Sequence, residues 1–237
     1  MFAATRECGY IRTVGERDSV PKELTIEALC EEAGRFAAVE STHAEPTLYG
    51  VTDGKAVGTY LEHKFRAYLT AEYTFNAGNS ASGIDFPDLG VDMKVTSIKQ
   101  PQSSCPYKSA RQKIFGLGYG LLVFVYNKKD SAESHTGTLV IEHTIFVKKE
   151  RTADFQITRG LRQILDNNAN EDDLVAFMMD KMLPVEEIEA HSIAQELLSG
   201  AETPQGYLTI SNALQWRLQY RRVIAEAGAV DGIIRVR

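Results

Sequence analysis

Ile84-Asp85-Phe86-Pro87-Asp88-Leu89-Gly90-Val91-Asp92-Met93-Lys94-Val95-Thr96 reads as two short strands around a turn. Pro87 presets φ, Asp88 favours a turn and Gly90 accepts a positive φ, so Pro87 to Gly90 forms the loop. Phe86 then pairs with Val91, and Asp85 stands opposite Asp92. Side chains alternate along a strand, so Ile84, Phe86, Val91, Met93 and Val95 share an apolar face. Asp85, Asp92, Lys94 and Thr96 share the other. Directly opposed residues have Cβ atoms about 4.5–5.5 Å apart, and like charges there repel. The two aspartates therefore need a cation between them or a raised pKa on one. Two carboxylates and an ammonium on one sheet face have the chemistry to hold Mg²⁺ and polarise a phosphate.

Upstream, Thr52 or Asp53 can cap a helix running from about Gly54 to Thr70. Val57, Leu61, Phe65, Tyr68 and Leu69 make its buried stripe, and Glu62 lies at the stripe's edge. Tyr73 to Phe75 reads as a short strand, and Asn76 to Gly83 as a loop rich in Gly, Asn and Ser. Downstream, the span from Lys94 to Lys129 holds seven basic residues and no Asp or Glu: Lys94, Lys99, Lys108, Arg111, Lys113, Lys128 and Lys129. In a chain of net charge −6 this is a local basic segment beginning at the aspartate–lysine pair. Phosphate contacts are its natural use, and double-stranded DNA the natural partner. Lys99, Gln100, Gln102, Ser103, Lys108, Arg111 and Lys113 are the candidate DNA contacts, since Gln side chains can pair with adenine edges.

Asp85 followed by Asp92-Met93-Lys94 resembles the signature of the PD-(D/E)xK nuclease superfamily. Within it the order of pieces is similar to the MutH-like branch and the restriction endonucleases grouped with it. Those proteins carry a helix ending in a glutamate, a glycine–serine loop, Asp-Phe, a Leu-Gly turn and acid-x-Lys. Here the pieces are Gly54 to Glu62, Ala77-Gly78-Asn79-Ser80, Asp85-Phe86, Leu89-Gly90 and Asp92-Met93-Lys94, under a fifth of the chain. MutH-like proteins have glutamate where this chain has Asp92. Gly206-Tyr207-Leu208-Thr209-Ile210 is similar to a further, late segment of that branch. The resemblance implies that Asp85, Asp92 and the main-chain carbonyl of Met93 bind Mg²⁺. It implies that Lys94 holds the attacking water, and that Glu62 binds a second metal or positions that water.

The length of 237 residues suits one domain, with a core at about 54–147 and a mostly helical part at 151–237. No apolar run is long enough to span a bilayer. The start lacks a secretory segment, and Cys8, Cys30 and Cys105 have no metal-ligand spacing, which together suggest a cytoplasmic protein with reduced thiols. Gly116-Leu117-Gly118-Tyr119-Gly120 is not a dinucleotide fingerprint, because these glycines follow a helix and precede a strand. Helices are expected over 25–39, 107–115, 153–165, 171–182, 185–198 and 211–225. Strands are expected at 121–126 and 138–147, with a loop at 127–137. The expected fold is α/β, a mixed sheet flanked by helices. The expected function is Mg²⁺-dependent, sequence-specific DNA cleavage by a type II restriction endonuclease, acting as a homodimer where both strands are cut. The alternatives are a MutH-like nicking repair enzyme and a non-catalytic DNA-binding protein.

Overall fold

Two apolar helical stripes precede the central stretch, and they fold as capped helices. The computed structural model describes residues 21–78, 83–168, 170–211 and 217–237. In chain order its elements are β1 (Lys22–Glu23), α1 (Ile26–Glu40), α2 (Gly54–Thr70), β2 (Tyr73–Thr74), β3 (Val91–Ser97), β4 (Gln102–Ser104), α3 (Ala110–Phe115), β5 (Gly120–Ser131), β6 (Thr136–Val147), α4 (Phe155–Asp166), α5 (Glu171–Asp180), α6 (Glu187–Leu198), β7 (Thr209–Ser211), β8 (Arg217–Gln219), α7 (Arg221–Glu226) and β9 (Ile233–Arg235). Thr25 accepts the Ala28 N–H to cap α1, and Asp53 accepts the Lys55 N–H to cap α2.

Among the described residues, β3, β5, β6 and β9 form one sheet in the order β3-β5-β6-β9. β3 and β5 run parallel, while β6 is antiparallel to both β5 and β9. The apolar run Leu121 to Tyr126 alternates between the two faces and is buried on both, as a central strand requires. On one face Leu122 and Phe124 pack with Leu29, Phe36, Leu61 and Phe65 of α1 and α2. On the other, Leu121, Val123 and Val125 pack with Tyr107, Leu218, Tyr220 and Val223. The helices α3 to α6 form a third cluster around Ile114, Leu161, Leu174 and Ile193. The fold is mixed α/β, with a mixed sheet flanked by helices, as expected. No helix among the described residues is long and apolar enough to cross a membrane.

Three local expectations are corrected. Residues 127–137 are mostly strand, because β5 and β6 continue as a hairpin whose turn is 132–135. Polar side chains there project to solvent while the backbone ladder keeps pairing, so the composition of a loop hides a strand. The helix expected from Tyr107 starts only at Ala110, behind the cap Ser109. Among the described residues of the stretch 211–225, Arg217–Gln219 is a strand and helix begins at Arg221, in Arg221–Glu226. There Leu218 and Tyr220 are both buried, a period of two that a helical reading passes over. The short strands β4, β8 and β7 make a second, antiparallel sheet in that order. The expected lead-in at 1–20, the middle of the Gly/Asn/Ser loop and the segment 212–216 lie outside the described residues.

Phe65 fixes α2 to the sheet, with ring centroids 5.0 Å from Phe36 and 5.2 Å from Phe124. Its side chain is fully buried. Phe65→Ala is expected to lower unfolding free energy by about 3–5 kcal/mol. Urea unfolding followed by far-UV circular dichroism checks this, and a loss under about 1 kcal/mol would show that α2 is held some other way.

Candidate active site

The central turn closes with one residue pair rather than a ladder. Phe86 N–H donates to Val91 O at 2.9 Å, and Val91 N–H returns to Phe86 O at 3.2 Å. Pro87 to Leu89 make a single 3₁₀ turn, and Gly90 takes φ 60°, the left-handed conformation its position demands. The strand expected before the turn does not form, and is reduced to the single bridge at Phe86 for a specific reason. The next bond toward β3 comes from the Asp85 side chain, whose Oδ2 accepts the Met93 N–H at 2.8 Å. A carboxylate thus takes the place that a backbone carbonyl would fill in a continuing ladder.

The phase of β3 follows from its neighbours. Gly120 N–H donates to Gly90 O and Ile98 N–H to Tyr126 O, each at 2.8 Å. Even-numbered backbone groups therefore face β5, and odd-numbered ones face the open edge. A strand residue's N–H and C=O point the same way, so the Met93 carbonyl shares the open edge with Asp85.

On the strand, Lys94 Nζ lies 2.7 Å from Asp92 Oδ2, as the i, i+2 spacing predicts. Asp92 is only 4% exposed. Burial, above all, pushes its carboxyl up to about 6, against the pull of Lys94 and with a further push from Asp85. The predicted conflict between the two aspartates is thus present. Glu62 on α2 is half-buried, and its carboxyl is raised first by burial and then by Asp85, with Lys94 and Arg66 acting the other way. The turn, the edge strand and the helix therefore bring Glu62, Asp85, Asp92 and Lys94 into one electrostatic unit.

Arg66 belongs to that unit, and the sequence reading passes over it. Its guanidinium forms an ion pair with Asp85 Oδ1, and its Nε is buried without a hydrogen-bond partner among the described residues. The available signal was position: Arg66 follows Glu62 by four residues and shares its helix face.

The donor set suits a hard divalent cation. It comprises the Asp85 and Asp92 carboxylates and the outward Met93 carbonyl, with Glu62 beside them. Among the described residues no three His, Cys, Asp or Glu side chains gather into a ready-made cage. The raised Asp92 shows a buried carboxylate whose neighbours do not fully offset its desolvation, which a cation would do.

Beside this group lies a cavity of about 900 Å³, lined by Glu62, Lys94, Lys99, Gln100, Gln102 and Ser103. Lys55, Ser104, Lys128 and Arg217 line it too. Asp85 and Asp92 do not form its wall and reach it through Lys94. Lys108, Arg111 and Lys113 do not line it either. Arg111 pairs with Glu196 on α6 and lies over the Phe115 ring. Lys113 is buried, with its pKa lowered by desolvation and Asp154 as its nearest countercharge. Lys108 is exposed outside the cavity. The acid-free run in sequence is therefore not acid-free in space.

The family model described as type II restriction enzyme NspV matches residues 23–235. The chain belongs to this family. A relative from Nostoc sp. (strain ATCC 29411 / PCC 7524), the type II restriction enzyme NspV, is 68% identical over 213 residues, covering 90% of this chain and 96% of its own. No solved structure matches the chain. The NspV match spans the carboxylate group and the four- and three-stranded sheets.

The raised carboxyl sets a pH signature. The folded state holds the Asp92 proton up to about pH 6, whereas the ordinary value for an aspartate is 3.8. The charged form therefore subtracts stability above pH 6, and the penalty fades as pH falls toward 4. In EDTA, Asp92→Asn is expected to raise the melting temperature at pH 7.5, with the gain shrinking toward pH 5. Thermal melts across that range check this, and a gain that grows on acidification would contradict the burial argument.

Proposed function

We propose that the protein hydrolyses double-stranded DNA at a specific sequence, using the carboxylate–lysine group around β3. Membership of the type II restriction enzyme family supports site-specific DNA endonuclease activity. The observation that carries the site is the pairing of Asp92 with Lys94 beside an Asp85 carboxylate bonded to the Met93 N–H. That arrangement is what the PD-(D/E)xK reading, and its MutH-like branch, asks of these residues. The cofactor in this reading is Mg²⁺.

Asp85, Asp92 and the Met93 carbonyl would hold the cation. The chemistry a bound Mg²⁺ supplies there is polarisation of the phosphate and a water that ionises near neutral pH. Lys94 donates to the attacking water and offsets the charge that develops on the phosphoryl oxygens. Glu62, with its raised carboxyl, accepts a hydrogen bond from that water and aligns it for in-line attack. Arg66 keeps Asp85 turned toward β3. Lys55 and Lys99 supply positive charge for the DNA backbone along the cavity. The whole chain acts as one nuclease domain in the cytoplasm, and two copies act together to cut both strands.

With Mg²⁺, purified protein is expected to cut plasmid DNA into discrete fragments, and EDTA to abolish cutting. Lys94→Ala should reduce the single-turnover cleavage rate on the order of 10²–10³-fold while DNA binding persists. Gel analysis of the products checks both. Undiminished cutting by Lys94→Ala would remove Lys94 from the chemistry, and nicked circles alone would favour a nicking enzyme.

A further inference from the structure

The second sheet carries a polar face that the nuclease chemistry leaves unused. In β4, Gln102 pairs with Gln219 of β8, and Ser104 pairs with Arg217. On the far side of β8, Thr209 of β7 pairs with the same Gln219. Directly opposed residues project to one face, so Gln102, Ser104, Arg217, Gln219 and Thr209 stand together. Burial follows the alternation: each of these is partly or fully exposed. The intervening Leu218 and Ile210 are 0% and 7% exposed. Ser103, on the inner side, is engaged with the buried Tyr220 hydroxyl at 2.6 Å.

This face is tied to the cutting strand. Thr96 of β3 is buried, and its Oγ1 accepts the Gln102 N–H at 2.9 Å and lies 3.1 Å from the Gln102 carbonyl. Gln102, Ser104 and Arg217 line the same cavity as Glu62 and Lys94. A short antiparallel ribbon fits the DNA major groove. Its side chains here are an arginine fork, suited to guanine O6 and N7, and two facing glutamines, suited to adenine N6 and N7.

We propose that the outer face of β4 and β8, through Arg217, Gln219 and Gln102, reads base edges and sets the sequence specificity of cleavage. This rests on the DNA-cleaving function above and separates its base-reading residues from its phosphate contacts. Arg217 enters from a segment whose sequence reads as helix, so only the observed pairing puts it beside Gln102.

The test begins with selection from a pool of random DNA duplexes by the full-length wild-type protein in Ca²⁺, which gives its preferred sequence whether or not it cuts. Binding of Arg217→Lys, Arg217→Ala, Gln219→Ala and Gln102→Ala is then measured by fluorescence anisotropy. The probes are that duplex, its single-base-pair variants and a duplex lacking the site. Each variant should lose about ten- to hundredfold of its preference at one base-pair position. Arg217→Lys keeps the charge, so its affinity for the duplex lacking the site and its salt dependence should stay at the wild-type level. The proposal is overturned if Arg217→Lys discriminates like wild type while Arg217→Ala weakens all duplexes equally with a salt slope reduced by about one, the behaviour of a phosphate contact. It is also overturned if the glutamine variants keep full discrimination. Wild-type protein that selects a sequence but never cuts with Mg²⁺ would instead count against the nuclease reading, leaving the face supported by its own binding data.

Discussion

The bond from the Met93 N–H to the Asp85 carboxylate is the constraint on which the site depends. It stands one step beyond the Phe86–Val91 bridge, where a side chain replaces the backbone in the pairing. That replacement turns Asp85 toward the open edge of β3, the edge that also carries the Met93 carbonyl. The turn itself is braced from outside. Gly78 N–H donates to Asp85 O at 3.0 Å, and Asn76 N–H to Asp88 Oδ2 at 3.2 Å. Arg66 holds the other Asp85 oxygen from α2. A carboxylate held by a strand, a helix and a turn has few rotamers left to lose when a cation arrives, which is the condition for a preorganised site.

That precision is set against stability. Asp92 is buried on the face of β3 beside Leu121, and its desolvation outweighs the attraction of Lys94. An apolar residue at position 92 would suit the core better. The surrounding fold tolerates the carboxylate because the opposite face of β3 is securely packed, with Val91 and Met93 in the cluster that includes Phe65 and Phe124. β3 is thus half core and half charged site, split by the alternation of its side chains.

The parts of this arrangement that were legible in the sequence are those governed by local chemistry. Pro87 to Gly90 announced a turn, Asp53 announced a cap, and the i, i+2 spacing of Asp92 and Lys94 announced a shared face. Spacing placed Glu62 only at the edge of the helix stripe, and the resemblance, not the stripe, pointed to it. What escaped depends on pairing between distant segments. Arg66 meets Asp85 across 19 residues, and Arg217 reaches Ser104 only through the register of β4 with β8. Lys113 looked like a surface cation because its run lacks acids, yet Asp154 lies beside it in space. Asp154 is held there by its own bonds, accepting N–H groups from Gln156, Ile157 and Ile210. A one-dimensional charge count cannot see a countercharge brought in by a helix cap more than 40 residues away.

The same pairing logic resolves how a chain of net charge −6 can face a polyanion. Charge matters to DNA within about a Debye length, roughly 8–10 Å at physiological salt, so distribution outweighs the sum. Acids are concentrated in the first turns of α5 and α6, where Glu171, Asp172, Asp173, Glu187 and Glu189 complement the helix dipoles. Arg111 is neutralised by Glu196, in the last turn of α6. The cavity instead gathers Lys55, Lys94, Lys99 and Arg217 from four separate segments. With Lys128 the lining holds five cations against the acids Asp53, Glu62 and Asp130, so its balance is positive beside Lys94. The acidic helices α5 and α6 pack with α3 and α4, and none of their residues lines the cavity. A chain of net negative charge can thus carry a local positive balance, because at that screening length a polyanion responds to the charges near it rather than to the sum.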